Sequence, residues 1–310
     1  MKILTALIVV ILLMAAALAN ASVILSQAPV DHAPSRISDW SDERQKSDDF
    51  ILTGSSQIIT QIRWWGSYGD APDPALDNFI FQFFVEDPAN PGYPDIWCLG
   101  YDTPYPRSFT AASLTRTATN MASNAAGNPA SYYTYHDGGT VYEYSAVLDR
   151  PVHLAAVTRY WLTITNSTPN YVYPPTTNSK WGWLESGSGS QFYRMGHCPL
   201  CADDWALSST KNLAFALETF PQVAISSKAA ADPIISAASS KFLFKLWGKP
   251  TVTGPDTFTL DDGSGQPISV ESPGVTGLTG VNYVTVTGLL SPSAIGSVLK
   301  ADADDIVKLQ

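Results

Sequence analysis

The chain has 310 residues, with 18 basic and 28 acidic side chains and a formal net charge of −10. That balance argues against nucleic acid, whose phosphates need a basic footprint, and against adsorption to an anionic membrane. Hydrophobic residues make up 45%, enough to bury a core, and nine Trp, fourteen Tyr and twelve Phe among many Thr and Ser describe a β-rich exported protein.

Met1-Lys2 is a positive start, residues 4–18 are almost wholly apolar, and Ala19-Asn20-Ala21 is a small-x-small cleavage site. This pattern predicts a secretory signal peptide over residues 1–21. The apolar run is shorter than the roughly 20 residues a bilayer-spanning helix needs, and no later stretch is apolar enough to span. The mature protein is expected to be secreted, periplasmic or extracellular, with no membrane span.

From 22 to 220 short strands alternate with turn signals. Ile58, Ile62 and Trp64 fall on one face, and Gln61, Arg63 and Trp65 on the other. Phe79, Phe81 and Phe83 alternate with Ile80, Gln82 and Phe84. Tyr144, Ala146 and Leu148 alternate with Glu143 and Ser145, and Tyr160, Leu162 and Ile164 with Arg159, Trp161 and Thr163. Leu213, Phe215 and Leu217 close the series. Period-two runs of β-branched and aromatic residues are half-buried strands, and Asp-Pro, Asn-Pro-Gly and Pro-Pro clusters separate them. About ten such strands over some 200 residues predict a two-sheet jelly-roll β-sandwich.

Residues 221–240 are dominated by Ala, Ser and Pro and contain no aromatic after Phe220, which reads as a linker or lead-in. From 241 the strand pattern resumes. Phe242, Phe244 and Leu246 alternate with lysines, Phe258 and Leu260 precede a turn at Asp262-Gly263, and Ile268, Val270, Val284 and Val286 mark two further strands. Residues 304–309 read as a final strand and 294–300 as a short helix. The expectation is a small five-stranded barrel of the OB type over 241–310.

The stretches SDDFILTGSSQIITQIRWWGSYG, DNFIFQFFVED, YWLTITNS, WGWLES and LAFALE together resemble a family of secreted bacterial β-sandwich domains of unknown function. The tail, with KLWGKPTVTG, FTLDDGSGQPISVESPGVTG and VNYVTVTGLLS, resembles OB-fold modules at the ends of exported bacterial proteins. The two resemblances cover most of 45–220 and 240–310. They imply an all-β fold and bring no catalytic residues with them.

Several constellations carry chemistry. Cys198 and Cys201 form C-P-L-C. In an exported chain this reads as a structural disulfide, within the motif or from Cys98 to one member, with thiol-disulfide exchange and a Cys98, His197, Cys198, Cys201 zinc site as the other readings. Asp70, Asp73 and Asp77 place hard oxygen ligands in one loop, a candidate Ca²⁺ site set against a solvated acidic loop. Asp302, Asp304 and Asp305 read as surface charge.

Trp65 shares its expected face with Arg63, and Trp161 with Arg159. On the outside of one sheet they form a platform on which the C–H face of a sugar packs against indole while the guanidiniums meet its hydroxyls. Trp181, Trp183 and Glu185 extend it. The opposing reading has these indoles buried as a second core. No G-x-S-x-G or H-E-x-x-H motif occurs, and Glu143 with Glu185 is the one candidate carboxylate pair for glycoside hydrolysis. Residues 241–310 carry five Lys against six Asp and one Glu, which opposes a nucleic-acid groove. The expected function is a non-catalytic binding, adhesion or extracellular structural protein, with polysaccharide or a cell-surface component as partner. The sharper expectation is glycan recognition through Trp65 and Trp161, assisted by Arg63 and Arg159. The alternative is an exported glycoside hydrolase or thiol-disulfide oxidoreductase.

Overall fold

Period-two alternation becomes strand almost throughout the computed structural model. Strands take 63% of the described residues and helix 4%, so the protein is all-β. The structure describes residues 21–39, 45–68, 77–98, 109–123, 139–167, 181–187, 192–195, 205–209, 211–232, 235, 241–294 and 296–309.

The first unit begins with β1 (Ser22–Gln27), β2 (Ser35–Ile37), β3 (Gln45–Ile51), β4 (Gln57–Ser67), β5 (Phe79–Glu86) and β6 (Pro94–Cys98). It continues with β7 (Phe109–Ala122), β8 (Thr140–Leu154), β9 (Arg159–Asn166) and β10 (Gly182–Leu184). β11 (Phe192–Met195), β12 (Trp205–Ser209) and β13 (Phe215–Thr219) complete it. All join one sheet in the order β1-β13-β4-β8-β7-β5-β9-β3-β11-β12, with β6 on β5 and β10 linking β2 to β4. The two faces of the expected sandwich are the halves of this one curled sheet. β5 pairs with β7, Ile80 opposite Thr110 and Phe81 opposite Phe109, and so joins them.

The curl brings the halves face to face. Phe50 of β3 lies 5.9 Å from Phe215 of β13, and Trp64 of β4 lies 5.1 Å from Phe81 of β5, both edge-on. Of the apolar sets read from the sequence, Ile62, Phe83, Leu148, Ile164 and Leu217 point into this single core. The irregularity between Ile59 and Gln61 brings Ile59 into it and turns Ile58, expected on the core face, out toward Phe220 and Leu243. Burying each such side chain contributes about 1.5–3 kcal/mol, which pins the register, since a one-residue slip would turn the whole set outward.

The second unit opens with β14 (Gln222–Ala224) and a one-turn helix α1 (Ser227–Ala230), both in the segment expected to be a linker or lead-in. Then come β15 (Leu243–Val252), β16 (Thr257–Asp261), β17 (Ile268–Glu271), β18 (Tyr283–Ser293) and β19 (Gly296–Lys300). A 3₁₀ turn (Ala303–Asp305) and β20 (Ile306–Leu309) end it. β15-β16-β17-β19-β18 close into a barrel through the β15–β18 pairing, with β17 and β19 parallel.

Two expectations are overturned in this unit. Residues 296–300 form a barrel strand between β17 and β18, where a helix was expected over 294–300. Gly296 has φ +133, which interrupts a helix at its start, and Leu299 then faces the core between β17 and β18. β20, expected as the fifth barrel strand, is an edge strand on β18.

Two glycines make the barrel corners. At Gly248 β15 passes from pairing with β18 to pairing with β16, and at Gly288 β18 passes from β15 to β19. A Cβ at Gly248 would meet the Asp261 carbonyl, and one at Gly288 the Lys300 carbonyl, so neither corner has room for a side chain.

Candidate functional site

The structure places the predicted site residues in three kinds of setting. The first is burial. Trp161 is 0% exposed and Trp65 only 6%. They do not share a platform: β4 and β9 are separated in the sheet by β8, β7 and β5. The expected exposed face of two indoles is therefore corrected. Trp65 packs with Ala33, Val141, Leu184 and Ala214 in a small core on the outer side of β4. Burial of a large indole is favourable enough to recruit the surrounding chain as a cover. Trp181 and Trp183 are fully buried in the main core.

The second setting is commitment to a structural partner. Arg63 lies 2.7 Å from Glu218 and 3.8 Å from Glu143, with its guanidinium 5.6 Å over the Trp65 ring. Gln61 donates to Glu218 at 2.6 Å. Arg159 is held by Asp49 at 3.2 Å and Glu86 at 3.5 Å. The candidate carboxylate pair divides between two arginines. Glu143 is half-exposed beside Arg63, and Glu185 is buried on Arg36.

Asp77 accepts from the Tyr68 hydroxyl at 2.6 Å and faces Arg116 at 3.2 Å. Asn166 donates to the Tyr68 oxygen at 3.1 Å and to Asp39 at 3.2 Å, and Asp39 also accepts from the Trp181 backbone at 2.9 Å. Burial first, and then the neighbouring charges, push the Tyr68 hydroxyl far above the usual tyrosine range, so it acts as a neutral donor. Asp48 is wholly buried and its carboxyl is pushed up by desolvation. These polar groups, none of them singled out by periodicity, link the ends of β4 and β9 to the start of β5 and tie β3 to Leu213.

The third setting lies outside the described residues: Asp70, Asp73, His197, Cys198, Cys201 and the side chain of Cys98. Among the described residues, no group of three or more His, Cys, Asp or Glu is placed to hold a metal ion. Asp77 is the described member of the candidate Ca²⁺ loop. Among the described residues no helix is long and apolar enough to cross a membrane.

Among the described residues, a pair of exposed aromatic rings lies on the barrel. Trp247 is 53% and Tyr283 47% exposed, with ring centroids 5.9 Å apart and planes inclined at 46°. Their placement follows from strand periodicity. Phe244 and Leu246 of β15 point into the barrel core, so Lys245, Trp247 and Lys249 point out. Val284 and Val286 of β18 point in, so Tyr283 and Thr285 lie on the same outer face. Register puts Trp247 opposite Thr285 and Thr285 opposite Val307, while Tyr283 stands opposite Leu309 of β20. The result is an inclined aromatic pair, continued by Val307 and Leu309 and bordered by lysines and a threonine hydroxyl. The alternation of Phe242, Phe244 and Leu246 with Lys241 and Lys245 already assigns Trp247 to the lysine face. The signal was present in the sequence, masked by the richer Trp content of the first unit.

The fold and this face define an all-β protein with a large curled sheet and a closed five-stranded barrel near its carboxy-terminal end. Residues 26–196 match the model of the family described as Domain of unknown function (DUF7901), and the chain belongs to that family. The sheet outlasts the match: β13, which pairs with both β1 and β4, lies beyond it. Comparison with curated proteins finds no match.

Proposed function

We propose that this chain is a secreted, non-catalytic binding protein that takes polysaccharide on the outer face of its barrel. The observation that carries the reading is the solvent-exposed Trp247–Tyr283 pair. Two large rings left in water on a folded surface forgo their burial energy, and such patches mark interaction sites. A pyranose offers a C–H face to each ring, and the bordering Lys245, Lys249 and Thr285 supply donors to its hydroxyls. The curled sheet supports this reading as a rigid carrier. Among its described carboxylates, Glu185, Glu218, Asp77 and Asp49 are paired with Arg36, Arg63, Arg116 and Arg159, which favours a scaffold over glycoside hydrolysis.

The test is sedimentation of the protein with insoluble polysaccharides, beside Trp247→Ala and Tyr283→Ala variants whose fold is checked by circular dichroism. Binding by the parent, weakened about tenfold or more in either folded variant, supports the reading. Equal binding by parent and variants places the ligand elsewhere. Concentration-dependent dimerisation of the parent, lost in Trp247→Ala, assigns the face to a second copy of the chain instead.

A further inference from the structure

His153 belongs to β8 of the curled sheet, and Asp305 closes the 3₁₀ turn ahead of β20. Across 152 positions of chain their side chains meet, Nδ1 to Oδ1, at 2.8 Å. Asp305 is buried and His153 is partly open to solvent. The other carboxylate oxygen of Asp305, Oδ2, is buried with no hydrogen-bond partner. The same two units share a small apolar seam, where Phe220, Leu243 and Leu289 pack with Ile58 and Val147. So few side chains make a seam of modest strength, in which one polar contact carries weight.

The charges around the contact are few. Asp302 and Asp304 act on both partners. β4 presents Ile58 opposite His153. β18 carries Tyr283 at its start and no charged side chain, and β19 carries only Lys300. One imidazole therefore faces one buried carboxylate, with two further carboxylates nearby.

We propose that His153 and Asp305 form a proton-operated latch that fixes the barrel against the curled sheet and loosens as the pH rises past neutrality. With the imidazole protonated, Nδ1–H donates to Asp305 and the charges offset each other. Loss of that proton leaves a carboxylate buried beside an uncharged ring, with Oδ2 still unpaired and Asp302 and Asp304 adding repulsion.

The directions of titration agree. The hydrogen bond to Asp305 holds His153 above its ordinary value, against the effect of burial. Burial pushes the Asp305 carboxyl up, partly offset by His153. His153 holds its proton more tightly docked than undocked, so its contribution to docking is fully present below the ordinary histidine range. It weakens as pH climbs through the raised His153 value.

The experiment is hydrogen exchange on the purified protein, with protection corrected for intrinsic rates and compared between segments 147–154 and 286–290 and the core strand β9. From about pH 6 to about pH 8.5, seam protection should fall by about threefold or more relative to β9. His153→Gln, which keeps a donor but cannot titrate, should show no such fall. Titration of His153 by NMR in the parent should give a value above the ordinary one. Seam protection that does not change with pH overturns the latch. So does an ordinary or lowered His153 titration, or a His153→Gln protein that keeps the parent's pH dependence.

Discussion

Arg36 of β2 donates through Nε to Glu185, the residue that follows β10, and both side chains are buried. The pair acts where the backbone is thin. β2 and β10 are three-residue strands, joined by Trp183 opposite Arg36, and β10 reaches the rest of the sheet through β4. The Glu185 backbone N–H adds a bond to the Pro34 carbonyl. The ion pair thus clips two short strands onto the end of β4.

Glu185→Ala takes away the buried carboxylate that the Arg36 guanidinium pairs with, and should destabilise the protein by about 3–5 kcal/mol. Arg36→Met combined with Glu185→Leu should recover most of that loss, because both charges go together. Urea unfolding midpoints of the three proteins decide the matter. A Glu185→Ala midpoint equal to that of the parent would show that the pair does not hold β2 and β10 in place.

The described tryptophans divide into two classes with opposite expected phenotypes. Trp161→Ala and Trp65→Ala remove buried rings and should cost about 3–5 kcal/mol of stability each. Trp247→Ala removes a ring already in water and should change stability by no more than about 0.5 kcal/mol. Thermal unfolding of the three variants separates the classes. A Trp161→Ala protein with unchanged melting would mean that the indole is not part of the packed structure.

Period-two alternation makes most core-facing residues of β4, β5, β8, β9 and β13 legible in the sequence, because apolar burial on one face of a strand leaves that record. Ile58 escapes it because the irregularity in β4 breaks the period. β7 left no such record. Its sequence FTAASLTRTATNMA is mostly small and hydroxylated, and it joins the sheet through backbone pairing with β8. β3 was equally opaque. Gln45, Lys46, Ser47, Asp48 and Asp49 are all buried, and only the tertiary partners explain it, such as the Leu213 N–H donating to Asp48 at 2.7 Å. The site was misread for a related reason. Alternation placed Trp65 and Trp161 correctly on faces opposite the main core, but which of those faces meets water depends on chain distant in sequence.

Asp262 ties the lead-in helix to the β16–β17 turn, and it makes an acid-sensitive prediction. Its Oδ2 accepts from the Ser227 backbone N–H at 2.9 Å, and its Oδ1 accepts from the Ser227 hydroxyl at 2.5 Å and from the Ser264 N–H at 2.9 Å. Gly263, with φ +80, lets the chain reverse tightly enough for these bonds to form. Burial alone would raise the carboxyl, but the hydrogen bonds from Ser227 and Ser264 together outweigh it and hold Asp262 well below the usual carboxylate range. A depressed carboxyl stabilises the fold above the ordinary aspartate value, and that stabilisation is lost as pH falls through the depressed one. Asp262→Ala should therefore cost about 1–2 kcal/mol at neutral pH, the scale of a lost cap in a partly solvated setting. The gap between parent and variant should narrow steadily below about pH 4. Melting temperatures of the two proteins across that acid range measure it. A gap that stays constant down to the acid limit would show that the ionised carboxylate is not what joins α1 to the turn.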